Sequence, residues 1–533
     1  MPGKYPEYKH LNLAQVNKDI LSFWKENQSF EKSISSREGA PSFVFYEGPP
    51  SANGKPGIHH VMGRAIKDIF CRFKTLQGYQ VNRKAGWDTH GLPVELGVEK
   101  ELGITKEDIG KSISVEEYNA ACKQAVMRYT DIWNQLTEQM GYWVDMDDPY
   151  ITYKSKYMES VWWLLKQLWD KELIYKGYTI QPYSPKAGTG LSSHELNMPG
   201  SYRDVKDTSA IAQFVALQDQ AFKGVFGDSV KDGDRVYYIA WTTTPWTLPS
   251  NTALTVGPKI EYQLIDSYNP YTSLRQKVLL AKSLVAKYFK PEGADKDMDS
   301  FKEGDKIIPW RVVWEGQGKQ LENLRYEQLL NWALPYEGAE NAFRIILGDF
   351  VTTEDGTGIV HTAPTFGADD AKVAREAKPP VPPMLVLDEN ENPVPLVDLQ
   401  GRFRADLGPL GGKYVKNEYY TEGPAPERSV DVEISILLKE ENKAFKVEKY
   451  VHSYPHCWRT DKPVLYYPLD SWFIKVTDKK EELVGLNKTI NWKPKSTGEG
   501  RFGNWLENAN DWNLSRSRYW GIPLPIWSTE DGS

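Results

Sequence analysis

The chain has 533 residues, 40% of them hydrophobic and 26% charged, with a formal net charge of -7. That length supports two or more domains with ample core, while the acid excess offers no global field to nucleic acid, so an RNA partner must be met by local basic patches. Cys71, Cys122 and Cys457 form no pairable pattern, and neither a signal peptide nor an apolar run of about 18 residues is legible, which points to the cytoplasm.

In chain order, residues 11–30 read as an amphipathic helix with Leu13, Val16, Ile20, Leu21, Phe23 and Trp24 on one side. Residues 42–46 are aromatic and β-branched, as a buried strand should be, and 47–54 are rich in turn formers. Apolar residues then recur at helical spacing from Ile58 to Phe73, and Gly78 stands where a left-handed cap is wanted. A glycine-rich turn between strand and helix lets backbone amides and the helix dipole approach an anion; by itself it is also an ordinary β-α unit. Residues 115–143 and 155–177 read as two long helices, the second carrying Trp162, Trp163 and Trp169 as core. Near Asn197 the pattern changes to short β-type runs, among them 235–241, 277–281, 344–347 and 358–361, and Pro379 to Pro383 form a stiff extended loop. From Lys446 the α/β pattern resumes.

Tyr46-Glu-Gly-Pro-Pro-Ser-Ala-Asn-Gly54, followed by Gly57-Ile-His-His60, resembles the first signature of class I aminoacyl-tRNA synthetases. Gly86-Trp-Asp-Thr-His-Gly-Leu-Pro-Val-Glu95 is similar to the amino-acid-binding segment of the isoleucyl type; valyl and leucyl relatives differ at the two residues after the Asp. The resemblance runs through Asp511-Trp-Asn-Leu-Ser-Arg-Ser-Arg-Tyr-Trp-Gly-Ile-Pro-Leu-Pro-Ile-Trp527, and the second signature, a Lys-Met-Ser-Lys-Ser loop, is not met, so the chain reads as an N-terminal fragment. The resemblance implies an α/β fold: a Rossmann-type parallel-sheet nucleotide-binding domain interrupted by an inserted β-barrel-like editing domain. The expected divisions are 1–41 (helical extension), 42–198 (catalytic domain, first half), 199–425 (editing) and 426–533 (catalytic domain, second half, incomplete).

The implied reaction is attack of the isoleucine carboxylate on the α-phosphate of ATP, with Mg²⁺, and transfer of the aminoacyl group to tRNA(Ile) by a cytoplasmic monomer with no membrane contact. Such phosphoryl chemistry needs positioning and charge stabilisation rather than a protein nucleophile. By resemblance Asp88 binds the substrate ammonium, and Gly48 and Pro49 line the aliphatic pocket. Asn53, Gly54, Gly57, His59 and His60 meet ATP, the last three serving catalysis. The usual order of this signature is His, any residue, Gly, His; here Gly57 and His59 have exchanged character, and the helix dipole is expected to disfavour the imidazolium form of His59 and His60. An inactive, degenerate site is the alternative.

Trp241-Thr-Thr-Thr-Pro-Trp-Thr-Leu-Pro-Ser-Asn251 matches the threonine-rich peptide of the family's editing domain, and Gly356-Thr-Gly-Ile-Val-His-Thr-Ala-Pro-Thr-Phe-Gly-Ala-Asp-Asp370 its partner segment. One methylene is worth only about 1–3 kcal/mol in an apolar pocket, so valine must be removed by a second, smaller site. By resemblance Asp370 holds the aminoacyl ammonium, His361 limits side-chain size, and Thr242, Thr243, Thr244 and Asn251 line that site. No Ser-His-Asp or Cys-His arrangement is visible, which argues against covalent catalysis. Relatives carry two Cys-x-x-Cys pairs that bind zinc; the corresponding residues here are Ser184, Ala187, Cys457 and Thr460, so no metal is expected. Two rival readings, a freestanding editing hydrolase and a non-catalytic tRNA-binding relative, leave the 86–95 segment without a use.

Overall fold

The computed structural model describes residues 10–51, 53–294, 296–421 and 423–529. It is a mixed α/β structure that separates into a smaller unit (1–175, 474–511 and 518–533) and a larger one (176–473 and 512–517).

In the smaller unit α1 (Leu13–Glu26) and α2 (Ser29–Ser35) replace the single expected helix. The break falls at Gln28, which adopts a left-handed φ of 50°. β1 (Ser42–Tyr46), β2 (Gln80–Trp87) and β3 (Asp145–Ile151) form a parallel sheet in that order. α3 (Ile58–Leu76) makes the crossover from β1 to β2, as a parallel pair requires. Gly78, with φ +91°, follows the end of α3 as expected. β1 is an edge strand rather than a buried one, with Val44 and Tyr46 about 60% exposed. The apolar stripe of α3 also faces outward: Ile58, Met62, Ile66, Ile69, Phe70 and Phe73 are 53–83% exposed, and the buried side chains are Arg64, Cys71 and Thr75. α4 (Leu92–Leu102) packs on α5 (Val115–Val126) through Val94, Val98, Tyr118, Cys122 and Val126. The expected 115–143 helix is broken between α5 and α6 (Thr130–Gln139). α7 (Ser155–Trp169) stops well short of 177 and buries none of its residues; Trp163 and Trp169 are exposed, which corrects their reading as core.

The larger unit begins within β4 (Ile174–Ser184), which pairs with β5 (Thr189–Gly190). Among the described residues its principal sheet has nine strands. β6 (Tyr202–Val215) runs antiparallel to β7 (Val236–Thr242). On the other edge β7 meets β10 (Arg275–Ala281) through residues 236–238 and β13 (Ile359–Thr362) at Trp241. The sheet therefore splits at β7 and curls into a half-barrel, one limb continuing to β9 (Glu261–Tyr268) and β11 (Arg311–Gln317), the other to β8 (Ala253–Val256) and β12 (Arg344–Leu347). Phe214, Tyr238, Trp246, Leu254 and Tyr326 fill one face; Ile239, Ile265, Val278, Phe289 and Phe445 fill the other. α8 (Ala368–Glu376), a ribbon of β14 (Leu385–Leu387) and β15 (Pro393–Pro395), and α9 (Val430–Glu440) follow. β16 (Ala444–Pro455) then pairs along β6, and β17 (Leu465–Ile474) joins β4, so these strands belong to the larger unit.

Candidate functional site

In the smaller unit the chain turns between β1 and α3 on a buried carboxylate. Glu47, 3% exposed, continues the ladder by donating its N–H to Lys84 O at 2.9 Å. Its carboxylate accepts from Lys67 Nζ at 2.5 Å and from the Tyr142 hydroxyl, with Arg64 Nε at 4.0 Å, and its carbonyl accepts from the Tyr150 hydroxyl. A buried carboxylate persists only with such partners. They fix the root of the turn that carries Gly48, Pro49, Asn53 and Gly54.

Trp133 Nε1 donates to Gly54 O at 2.8 Å, and Asp88 N donates to Pro50 O at 3.2 Å while Asp88 bridges Ser51. The Asp88 backbone thus lies against Pro50 and Ser51 at the end of that turn. Gly57 is the N-cap of α3 and donates its N–H to His60 Nδ1 at 2.9 Å, so His60 is held with its proton on Nε2. Burial, then the neighbouring His59, push His60 below its ordinary value, where the sequence had suggested the helix dipole. The two rings lie 3.8 Å apart, and His60 stands edge-on to Trp133 at 4.7 Å. A Cβ at position 57 would approach His59 Cε1 to 2.9 Å. With a side chain at 57 the exposed His59 ring would have to turn aside, so the two positions are neighbours in space.

Residues 86–95 meet residues 518–520 within this unit. Arg518 Nε donates to Glu95 Oε2 at 2.9 Å and its Nη2 donates to Glu99 Oε1; Tyr519 N and Trp520 N donate to Glu95 Oε1 at 3.1 and 3.0 Å. Trp520 Nε1 donates to Thr89 O at 2.6 Å, and the ring lies 5.4 Å from His90.

In the larger unit β7 delivers Thr242, Thr243 and Thr244 to a 3₁₀ turn, Pro245–Ser250, whose two prolines remove backbone donors and stiffen it. Thr244 N donates to Thr242 Oγ1 at 3.0 Å. β13 carries His361, 6% exposed, into a closed relay. The Tyr326 hydroxyl donates to Asn251 Oδ1 at 2.7 Å, which fixes the amide so that its Nδ2 donates to His361 Nδ1 at 2.8 Å. His361 Nε2–H then donates to Thr247 Oγ1 at 3.0 Å, and that hydroxyl donates to Thr244 O at 2.9 Å. Burial lowers the His361 pKa to about 3, so the imidazole is neutral and both nitrogens are engaged.

Asp370 lies in the first turn of α8 and its Oδ2 accepts from Ala363 N at 2.8 Å, two residues beyond His361. Burial pushes its carboxyl up to about 6 against that hydrogen bond. The 3₁₀ turn is anchored from behind, where Trp246 N donates to Asp431 Oδ1 at 2.9 Å and Lys416 Nζ stands between Asp431 and Asp207, at 3.7 and 2.8 Å.

At the four knuckle positions the donor set does not fit zinc. Ser184 Oγ accepts from Ala187 N at 3.2 Å, Ala187 has no donor side chain, and Cys457 is the one thiol. Among the described residues no three His, Cys, Asp or Glu side chains converge.

Glu47 and Thr247 lie inside the quoted motifs, where a charge at a strand end and a fourth threonine were the available signals. Arg64, Tyr326, Asp431 and Arg518 gave no local signal, because their partners are 17 to 423 residues away.

A family model described as tRNA synthetases class I (I, L, M and V) matches residues 19–533. The isoleucine--tRNA ligase of Bacteroides fragilis strain ATCC 25285 is 60% identical over all of this chain and 47% of its own length, and that of Cytophaga hutchinsonii 61% identical over 99% and 47%. The chain thus spans about half the length of these curated relatives. A solved leucyl-tRNA synthetase editing domain from P. knowlesi covers 33% of this chain and is 64% covered, at 13% identity and a TM-score of 0.25. With the first signature folded about Glu47 and the family match running from residue 19 to the last, the chain belongs to the class I tRNA synthetases of the I, L, M and V group.

Proposed function

We propose that this chain is part of an isoleucyl-tRNA synthetase, an ATP-dependent isoleucine--tRNA ligase with hydrolytic editing, acting as a monomer in the cytoplasm. The observation that carries the reading is about 60% identity to curated isoleucine--tRNA ligases along the entire chain. No helix among the described residues is long and apolar enough to cross a membrane.

In the synthetic half, an isoleucine carboxylate oxygen bonds to the α-phosphorus of Mg²⁺-bound ATP and pyrophosphate leaves; the tRNA(Ile) terminal hydroxyl then takes the aminoacyl group and AMP leaves. Asp88 pairs with the substrate ammonium, the Gly48–Pro49 turn borders its side chain, and Asn53, Gly54, Gly57, His59 and His60 meet ATP. His60 presents Nε2–H, since its Nδ1 is taken by Gly57. Neutral hydrogen-bond donors at a helix N-terminus stabilise developing phosphate charge without a proton transfer.

In the editing half, assigned to residues 199–425, water attacks the ester carbonyl of valyl-tRNA(Ile) and the ribose hydroxyl leaves. Asp370 holds the ammonium, the threonines 242–244 border the ester, and the His361 ring, locked by Asn251 and Thr247, sets the depth available to a side chain. The test is deacylation of valyl-tRNA(Ile) by the purified chain. Asp370→Asn, which keeps an acceptor for Ala363 N, should abolish hydrolysis while leaving the melting temperature intact or higher; unchanged hydrolysis in that variant would sink the assignment.

A further inference from the structure

On the face of the large sheet opposite the His361 relay lies a cavity of about 220 Å³ that the proposed reaction does not use. The separation of faces follows from strand alternation: Ile359, two residues before His361, packs with the Tyr326 cluster, whereas Phe289 and Phe445 pack with the opposite one. Tyr268, Tyr288, Phe289 and Phe445 form its aromatic walls, and Lys287, Lys290, Lys306 and Lys446 line its rim.

The walls are fixed in place. The Tyr288 hydroxyl donates to Gly356 O at 2.6 Å and the Tyr268 hydroxyl to Met298 O at 2.8 Å. The backbone bearing the lysines is pinned as well, since Trp310 Nε1 donates to Lys290 O and Ser267 Oγ to Pro309 O. Lys287 is matched by Asp355 at 2.5 Å and Lys446 by Glu448 at 2.8 Å. Lys290 and Lys306 have no ion-pair partner among the described residues. Two carboxylates close in sequence to Lys306 have other partners: Asp305 accepts from Lys302 N, and Asp299 stands 3.7 Å from Arg275. The cavity therefore offers partly exposed tyrosine rings beside two cations unmatched among the described residues.

We propose that this cavity binds a nucleotide, its base against the Tyr268 and Tyr288 rings and its phosphate between Lys290 and Lys306, either as a free mononucleotide or as one residue of a single-stranded RNA. Aromatic faces accept any base, and lysines track phosphate without reading sequence. This site goes beyond the proposed reaction and stands or falls separately from it.

The test is calorimetric titration of the 533-residue chain with inorganic phosphate, uridine 5′-monophosphate and a pentauridylate. The uridine nucleotide or the pentamer should bind at least about fivefold more tightly than phosphate, the lower bound for one stacked base. Tighter binding of the pentamer than of the mononucleotide assigns the ligand to an RNA strand; equal binding assigns it to a free nucleotide. Lys290→Gln with Lys306→Gln should weaken binding about tenfold or more and lower the pentamer's slope of log K against log salt by about 1.4, which is 0.7 per lysine. Lys290→Arg with Lys306→Arg should retain binding, and both exposed double variants should melt with the parent. Unchanged affinity in the glutamine variant, or phosphate binding as tightly as both nucleotide probes, overturns the proposal.

Discussion

Asp370→Asn separates a carboxylate kept for binding from one kept for stability. Moving a carboxyl from its ordinary 3.8 to about 6 corresponds to about 3 kcal/mol of unfavourable ionisation at 1.36 kcal/mol per pH unit. Solvent screening at this partly exposed side chain reduces the expected value to about 1–2 kcal/mol. The sign follows from the raised folded-state value: folding favours the protonated form, so this contribution is intact below pH 3.8 and lost as pH rises through 6. Asparagine keeps an oxygen to accept from Ala363 N and carries no charge, so the variant should be about 1–2 kcal/mol more stable than the parent at pH 8 and no more stable at pH 4. Urea unfolding at the two pH values measures this. A valyl-adenosine analogue bearing a free ammonium should bind the parent with affinity falling about tenfold per pH unit below 6, and should not bind the variant. A variant that is less stable at pH 8, or that binds the analogue as the parent does, would refute both the burial argument and the role given to Asp370.

Gly57→His alone should displace the His59 ring, which its Cβ meets at 2.9 Å, with little change in melting temperature; combined with His59→Gly it should alter affinity for an isoleucyl-adenylate mimic in calorimetry. Arg518→Met leaves Glu95, 1% exposed, without its cation, and should cost about 3–5 kcal/mol in urea unfolding. Between about pH 6.5 and 3 the unfolded chain protonates His361 and the folded chain does not, so this residue's contribution is complete above 6.5 and lost as pH falls through 3. His361→Gln should therefore flatten the acid limb of the stability curve, and an unchanged limb would show that the buried imidazole is protonated.

The local chemistry of this chain is written in its sequence. The strands at 236–242, 275–281, 344–347 and 359–362 were legible because β-branched and aromatic runs between turn formers have few other uses. The turn at 47–57, the threonine peptide and Asp370 were legible because their residues are consecutive. Three things were decided by tertiary structure. Periodicity finds an apolar stripe but not its partner, so the outward face of α3 and the exposure of Trp163 could not be foreseen. Helix breaks at Gln28 and between Val126 and Thr130 depend on packing that overrides propensity. The state of each titratable group depends on distant partners: Tyr326 orients Asn251 from 75 residues away and thereby sets the proton on His361, and Arg518 neutralises Glu95 from 423. Buried charge and tautomer are properties of an environment, and an environment exists once the chain has closed on itself.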